Sequence, residues 1–115
     1  MKNRVLFILL FICLVWISLA YAHPPQDILI SYDPATKMLS AVIVHNTSNP
    51  LNHYIRQVDV ALNGKEIIQQ KISKQDNNES QQVAYFIPDA KFGDRLSVEG
   101  YCSISGKLEK EITVE

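Results

Sequence analysis

Cysteine is scarce in this sequence: two residues in 115, Cys13 and Cys102. Cys13 sits inside an apolar N-terminal run, so once that run is set aside Cys102 stands alone and an intramolecular disulfide is excluded. Long helical periodicity is missing, and so are internal repeats and low-complexity tracts. Neither a phosphate-binding loop, a dinucleotide fingerprint nor a nucleophile paired with a base is visible, which argues against a metal-free enzyme. A basic stripe is absent too. Of the 11 basic residues, Lys2 and Arg4 lie at the N-terminus, leaving nine against 12 acidic ones and a net charge of about −3 over the remainder. Nucleic acid is therefore not an expected partner.

What the chain does have begins with Lys2 and Arg4, followed by the apolar "VLFILLFICLVWI" and then "SLAYA". A basic start, an apolar stretch and a small-x-small end read as a secretory signal peptide over residues 1–22, a helix removed after Ala22. The run from Val5 to Ala20 is short for a membrane-spanning helix, which takes about 20 residues. Cys13 follows Ile12, unlike a lipidation site, which follows a small residue. The expected product, residues 23–115, is periplasmic or secreted, has no stable membrane anchor, and forms one domain that buries roughly 60–65% of its unfolded surface.

That domain reads as all-β. "DILISYD", the turn "PATK" and "MLSAVIVH" carry strand and turn signals, and "NTSNPLN", crowded with Asn, Ser and Pro, reads as a loop. In "YIRQVDVAL" the residues Tyr54, Val58, Val60 and Leu62 are expected on one face. Asn63-Gly64 joins this run to "KEIIQQKIS" through a tight turn whose central residues need positive φ. After the polar "KQDNNES" come "QQVAYFIP", the turn "DAKFGD", and then "RLSVEGYCS" and "KLEKEITV". Leu96, Val98 and Cys102 alternate with Arg95, Ser97, Glu99 and Tyr101; Leu108, Ile112 and Val114 alternate with Lys107, Glu109, Glu111 and Thr113. About seven short strands in this length predict an immunoglobulin-like antiparallel β-sandwich.

The candidate chemistry lies in His23, His45, His53 and Cys102, all near strand ends or in loops. Sandwich loops gather at two tips, so residues far apart in sequence can meet there. Imidazole with thiolate suits iron, copper or zinc. Each histidine also reads as a solvated loop residue, and Cys102 as a small buried hydrophobe. The sequons "NTS" and "NES" read as ordinary polar loops.

"HPPQDI", "HNTSNPLNHYI", "VDVALNGKEI" and "GDRLSVEGYCSISG" together resemble the ferrous iron-binding domain of the desulfoferrodoxin and superoxide reductase (neelaredoxin) family. The resemblance covers nearly all of residues 23–115 and implies the same sandwich. It implies a mononuclear Fe(2+)/Fe(3+) centre with equatorial histidines, here His23, His45 and His53, and Cys102 as axial thiolate. It also implies an oxidoreductase activity in which superoxide, the small substrate, is reduced to peroxide by an electron drawn from an unidentified donor.

Ser105 stands where the family carries its last histidine, the loop from His45 to His53 is about two residues longer than the family's, and Tyr21-Ala22 replaces the family's Glu-Lys. A His23 freed at the N-terminus offers an α-amine and an imidazole to the position Ser105 leaves open, an arrangement copper also favours. The alternatives are a non-catalytic copper- or iron-binding carrier, and a metal-free interaction sandwich with a buried, inert Cys102. Homo-oligomerisation is left open.

Overall fold

The computed structural model describes residues 23–115, so the signal-peptide expectation over residues 1–22 lies outside the described residues. Seven strands follow one another: β1 (Asp27–Asp33), β2 (Met38–Val44), β3 (Ile55–Leu62), β4 (Lys65–Lys71), β5 (Ser80–Phe86), β6 (Arg95–Cys102) and β7 (Lys107–Thr113). They form two antiparallel sheets, a three-stranded one in the order β1-β2-β5 and a four-stranded one in the order β4-β3-β6-β7. β4 pairs with β3 rather than β5, so the fourth strand lies beside β3-β6-β7. No helix among the described residues is long and apolar enough to cross a membrane.

Period-two patterning drives this arrangement. Leu39, Ala41 and Ile43 of β2 point inward with Ile28 and Val83, and meet Val58, Val60, Leu96 and Val98 from the other sheet. Ile87 and Val114 close the far end, where the Tyr32 hydroxyl donates to the Ile87 carbonyl at 2.8 Å. The turn into β4 forms at Asn63-Gly64 as its sequence demands, with φ of 50° and 82°. At Gly100 the sheets approach so closely that a Cβ would lie 3.1 Å from Cγ2 of Ile43. Asp89 and Asp94 frame a turn, and Asp94 accepts from the Lys91 amide and from the Asn63 side chain.

One face assignment is corrected. Ile55, not Tyr54, joins the core, because Ile55 pairs with Cys102 and Gln57 with Tyr101, which leaves Arg56 as an extra residue on β3. Such a bulge inverts the alternation of everything before it and re-aims the side chains at the strand's start. His53 and Tyr54 lie just there.

On the outer face of the larger sheet, Glu99 and Glu109 stand directly opposite one another. Their mutual hydrogen bond lifts the Glu109 carboxyl above its ordinary range and lowers that of Glu99. Lys107, 3.3 Å from Glu99, assists the lowering. A raised value means that folded Glu109 keeps a proton the unfolded chain has released. This contribution is present at low pH and is lost as pH rises through the raised value; beyond it two carboxylates repel across the strands. Glu109→Gln is therefore expected to stabilise the domain by about 0.5 kcal/mol at pH 7, with the gain vanishing near pH 4. Urea denaturation at both pH values checks this, and a variant no more stable than the parent at pH 7 would contradict it.

Candidate metal centre

Strand pairing gathers four segments at one tip. Asp27 and Ser80 both pair with Val44, and Ile55 pairs with Cys102. Residues 23–26, the β2–β3 loop, the β4–β5 loop and the β6–β7 turn therefore lie together, and all four candidate ligands belong to this end.

Each segment is tied by backbone bonds. The His45 amide donates to the Glu79 carbonyl at 2.9 Å and the Thr47 amide to Asn78 at 2.8 Å. In the longer β2–β3 loop, the Asn49 side chain accepts from the Leu51 amide, and the Asn49 carbonyl accepts from the amides of Asn52 and His53. This hydrogen-bonded turn carries His53 back toward His45. The Ser103 amide donates to the Tyr54 carbonyl at 2.8 Å, and the Tyr54 amide donates to the Ser103 hydroxyl. Gly106, at φ 90°, lies against Pro24, so close that a Cβ there would come within 2.9–3.0 Å of Pro24 backbone and ring atoms. This contact seats the segment carrying His23.

The three histidines meet. Their ring centroids are 4.8 Å apart for His23–His45, 4.9 Å for His23–His53 and 4.7 Å for His45–His53. One nitrogen from each lies within 4.8 Å of the others. A tetrahedral ion with bonds of about 2.1 Å draws its ligand atoms to about 3.4 Å apart, so the triangle needs to tighten by up to about 1.4 Å to grip one.

The electrostatics favour neutral rings at His45 and His53. Burial, foremost, pushes His45 below its ordinary range; hydrogen bonding with Gln75 and, more weakly, with the His23 backbone opposes this, and the charge the nearby His23 ring would carry adds to the lowering. Burial likewise lowers His53, followed by the charges that His45 and His23 would carry. Neutral imidazoles are the metal-binding form. Among the described residues, Nε2 of His45 and Nε2 of His53 are buried without a hydrogen-bond partner. Leaving a buried polar atom unsatisfied costs about 1–3 kcal/mol, and two such atoms on neighbouring rings suit a shared ion.

His23 offers its ring from the N-terminal segment, with Nδ1 3.0 Å from the Pro24 carbonyl.

Cys102 is placed at the same tip but outside the histidine group. It is buried, opposite Ile55, and its sulfur accepts from the Ile104 amide at 3.5 Å. Ser105 is exposed in the following turn. One participant escaped the sequence reading altogether: Gln75, fully buried, which contacts His45. It stands in "KQDNNES", whose composition signals only a solvated loop. No family model matches the chain, and no curated protein matches it significantly.

Proposed function

We propose that residues 23–115 form a metal-binding module that holds one transition-metal ion through Nε2 of His23, His45 and His53. The pair of buried, unpartnered Nε2 atoms carries this reading. Three imidazole nitrogens at one tip, with no carboxylate in the group, suit copper, iron or zinc better than the oxygen-seeking magnesium or calcium. The role is that of an exported carrier or redox module.

The position of Cys102 favours a second, finer reading, a superoxide reductase-like iron centre. The thiol and the histidines occupy one tip, and the turn that holds the thiol is bonded to Tyr54, next to His53. Bound iron would supply one-electron chemistry. The protein's part would be to hold three imidazoles and bring a thiolate to a further position after the 102–106 turn adjusts.

Equilibrium dialysis of the full-length protein against copper, iron and zinc, with metal measured per chain, tests the first reading. One ion per chain is expected, and none with any of the three would contradict it. Cys102→Ser separates the two readings. With iron bound and oxidised, a thiolate ligand gives a visible charge-transfer band that this variant loses, and superoxide decay followed by stopped flow should scale with protein concentration. A variant spectrally identical to the parent removes the thiolate ligand and leaves the histidine site.

A further inference from the structure

The unexplained group at this tip is Gln75, a side chain 0% exposed in an otherwise polar surface loop. Burying a primary amide costs free energy unless its donors and acceptor are matched, and here all are. Its Nε2 donates to the carbonyls of His45, at 2.7 Å, and Asn77, at 2.9 Å. Its Oε1 faces the Ile55 amide at 3.2 Å and Nδ1 of His45 at 2.9 Å. The Gln75 amide itself donates to the Pro50 carbonyl at 3.1 Å, which anchors the residue to the loop between His45 and His53.

These partners fix the orientation of the amide. Carbonyls only accept and a backbone N–H only donates, so the NH2 must face His45 O and Asn77 O, and the oxygen must face Ile55. Turning the group over would set oxygen against two carbonyls and N–H against N–H. With the oxygen so placed, Nδ1 of His45 has one compatible state, N–H. The neutral ring then carries its lone pair on Nε2, the atom that is buried without a partner. Three backbone groups thus fix, through Gln75, which nitrogen of His45 carries the proton.

We infer that Gln75 is a positioning residue: it holds His45 as the Nδ1–H tautomer and directs the Nε2 lone pair into the histidine cluster. A neutral amide does this without attracting a proton to the ring. A carboxylate would accept from Nδ1 but could not donate to the carbonyls of His45 and Asn77. Hydrogen-bond partners of metal-binding histidines orient the ring and fix its tautomer, and their loss typically costs 10–100-fold in affinity. The inference rests on the metal-binding reading for its purpose, but the tautomer exists without an ion.

Two readouts on the full-length protein keep the questions separate. Long-range 1H–15N correlation on metal-free, histidine-labelled protein at pH 8 reports the tautomer directly. His45 is expected to show a protonated Nδ1 and an unprotonated Nε2; a protonated Nε2 would overturn the inference, whatever happens with metal. Zn2+ affinity is the second readout, expected to fall about 10–100-fold in Gln75→Met and less in Gln75→Glu, which keeps the acceptor. A Gln75→Met protein with the parent's tautomer and affinity would overturn the inference. If Gln75→Met does not fold, Gln75→Glu and the parent spectrum decide it. The expected tautomer in a protein that binds no Zn2+ supports the role of Gln75 and counts against the metal-binding reading.

Discussion

Replacing His53 by alanine is expected to abolish tight metal binding while leaving the metal-free fold as stable as before or slightly more so. The two effects have opposite signs because His53 contributes little that the fold needs. Its ring is half-buried, and its Nε2 has no hydrogen-bond partner among the described residues. Alanine removes that unsatisfied atom, worth about 1–3 kcal/mol, which offsets the packing lost with the ring. Binding has no such compensation: losing one of three imidazoles should lower affinity by more than the roughly 100-fold upper end seen for outer partners. At a free-ion concentration about 100 times the dissociation constant, the parent gains about 2.7 kcal/mol from the ion, and His53→Ala should gain almost nothing. Thermal unfolding with and without Zn2+ reads both. A variant stabilised by the ion as much as the parent would contradict the assignment of His53, and a collapse of the metal-free form would show that the ring is structural.

Gly106→Ala is the second large effect, and it acts on stability and site together. At φ 90° an L-residue is strained, at about 1–3 kcal/mol. The added carbon also meets Pro24 backbone atoms at 2.9–3.0 Å, a contact no side-chain rotation relieves. The expected cost is about 3 kcal/mol, a large share of the stability of a domain this size. Because Pro24 adjoins His23, relief of the clash moves the first ligand away from the other two. Zn2+ affinity should therefore fall even where the variant remains folded. Chemical denaturation measures the first effect and calorimetric titration the second. Parent-like values in both would mean that Gly106 does not seat the N-terminal segment.

The strands were legible because each carries a half-buried, period-two pattern bounded by turn residues, and "ALNGKE" names its own turn. Tyr54 was misassigned because a bulge leaves no mark in local composition: the extra residue, Arg56, is defined only by pairing with β6. His45, His53 and Cys102 were legible as residues at strand ends that topology brings to one tip. The distances that group the histidines and leave Cys102 aside depend on how the turns are bonded, which spacing does not encode. Gln75 was invisible for a related reason. A buried glutamine is marked by its partners, and these come from His45 just after β2, from the start of β3 and from its own loop.

The metal content of protein isolated from its own host tests the central claim most directly. One transition-metal ion per chain, absent from His53→Ala prepared in the same way, is the expected result. A metal-free protein that also takes up no copper, iron or zinc when these are supplied would contradict it, and the three histidines would then be a packed aromatic cluster and nothing more.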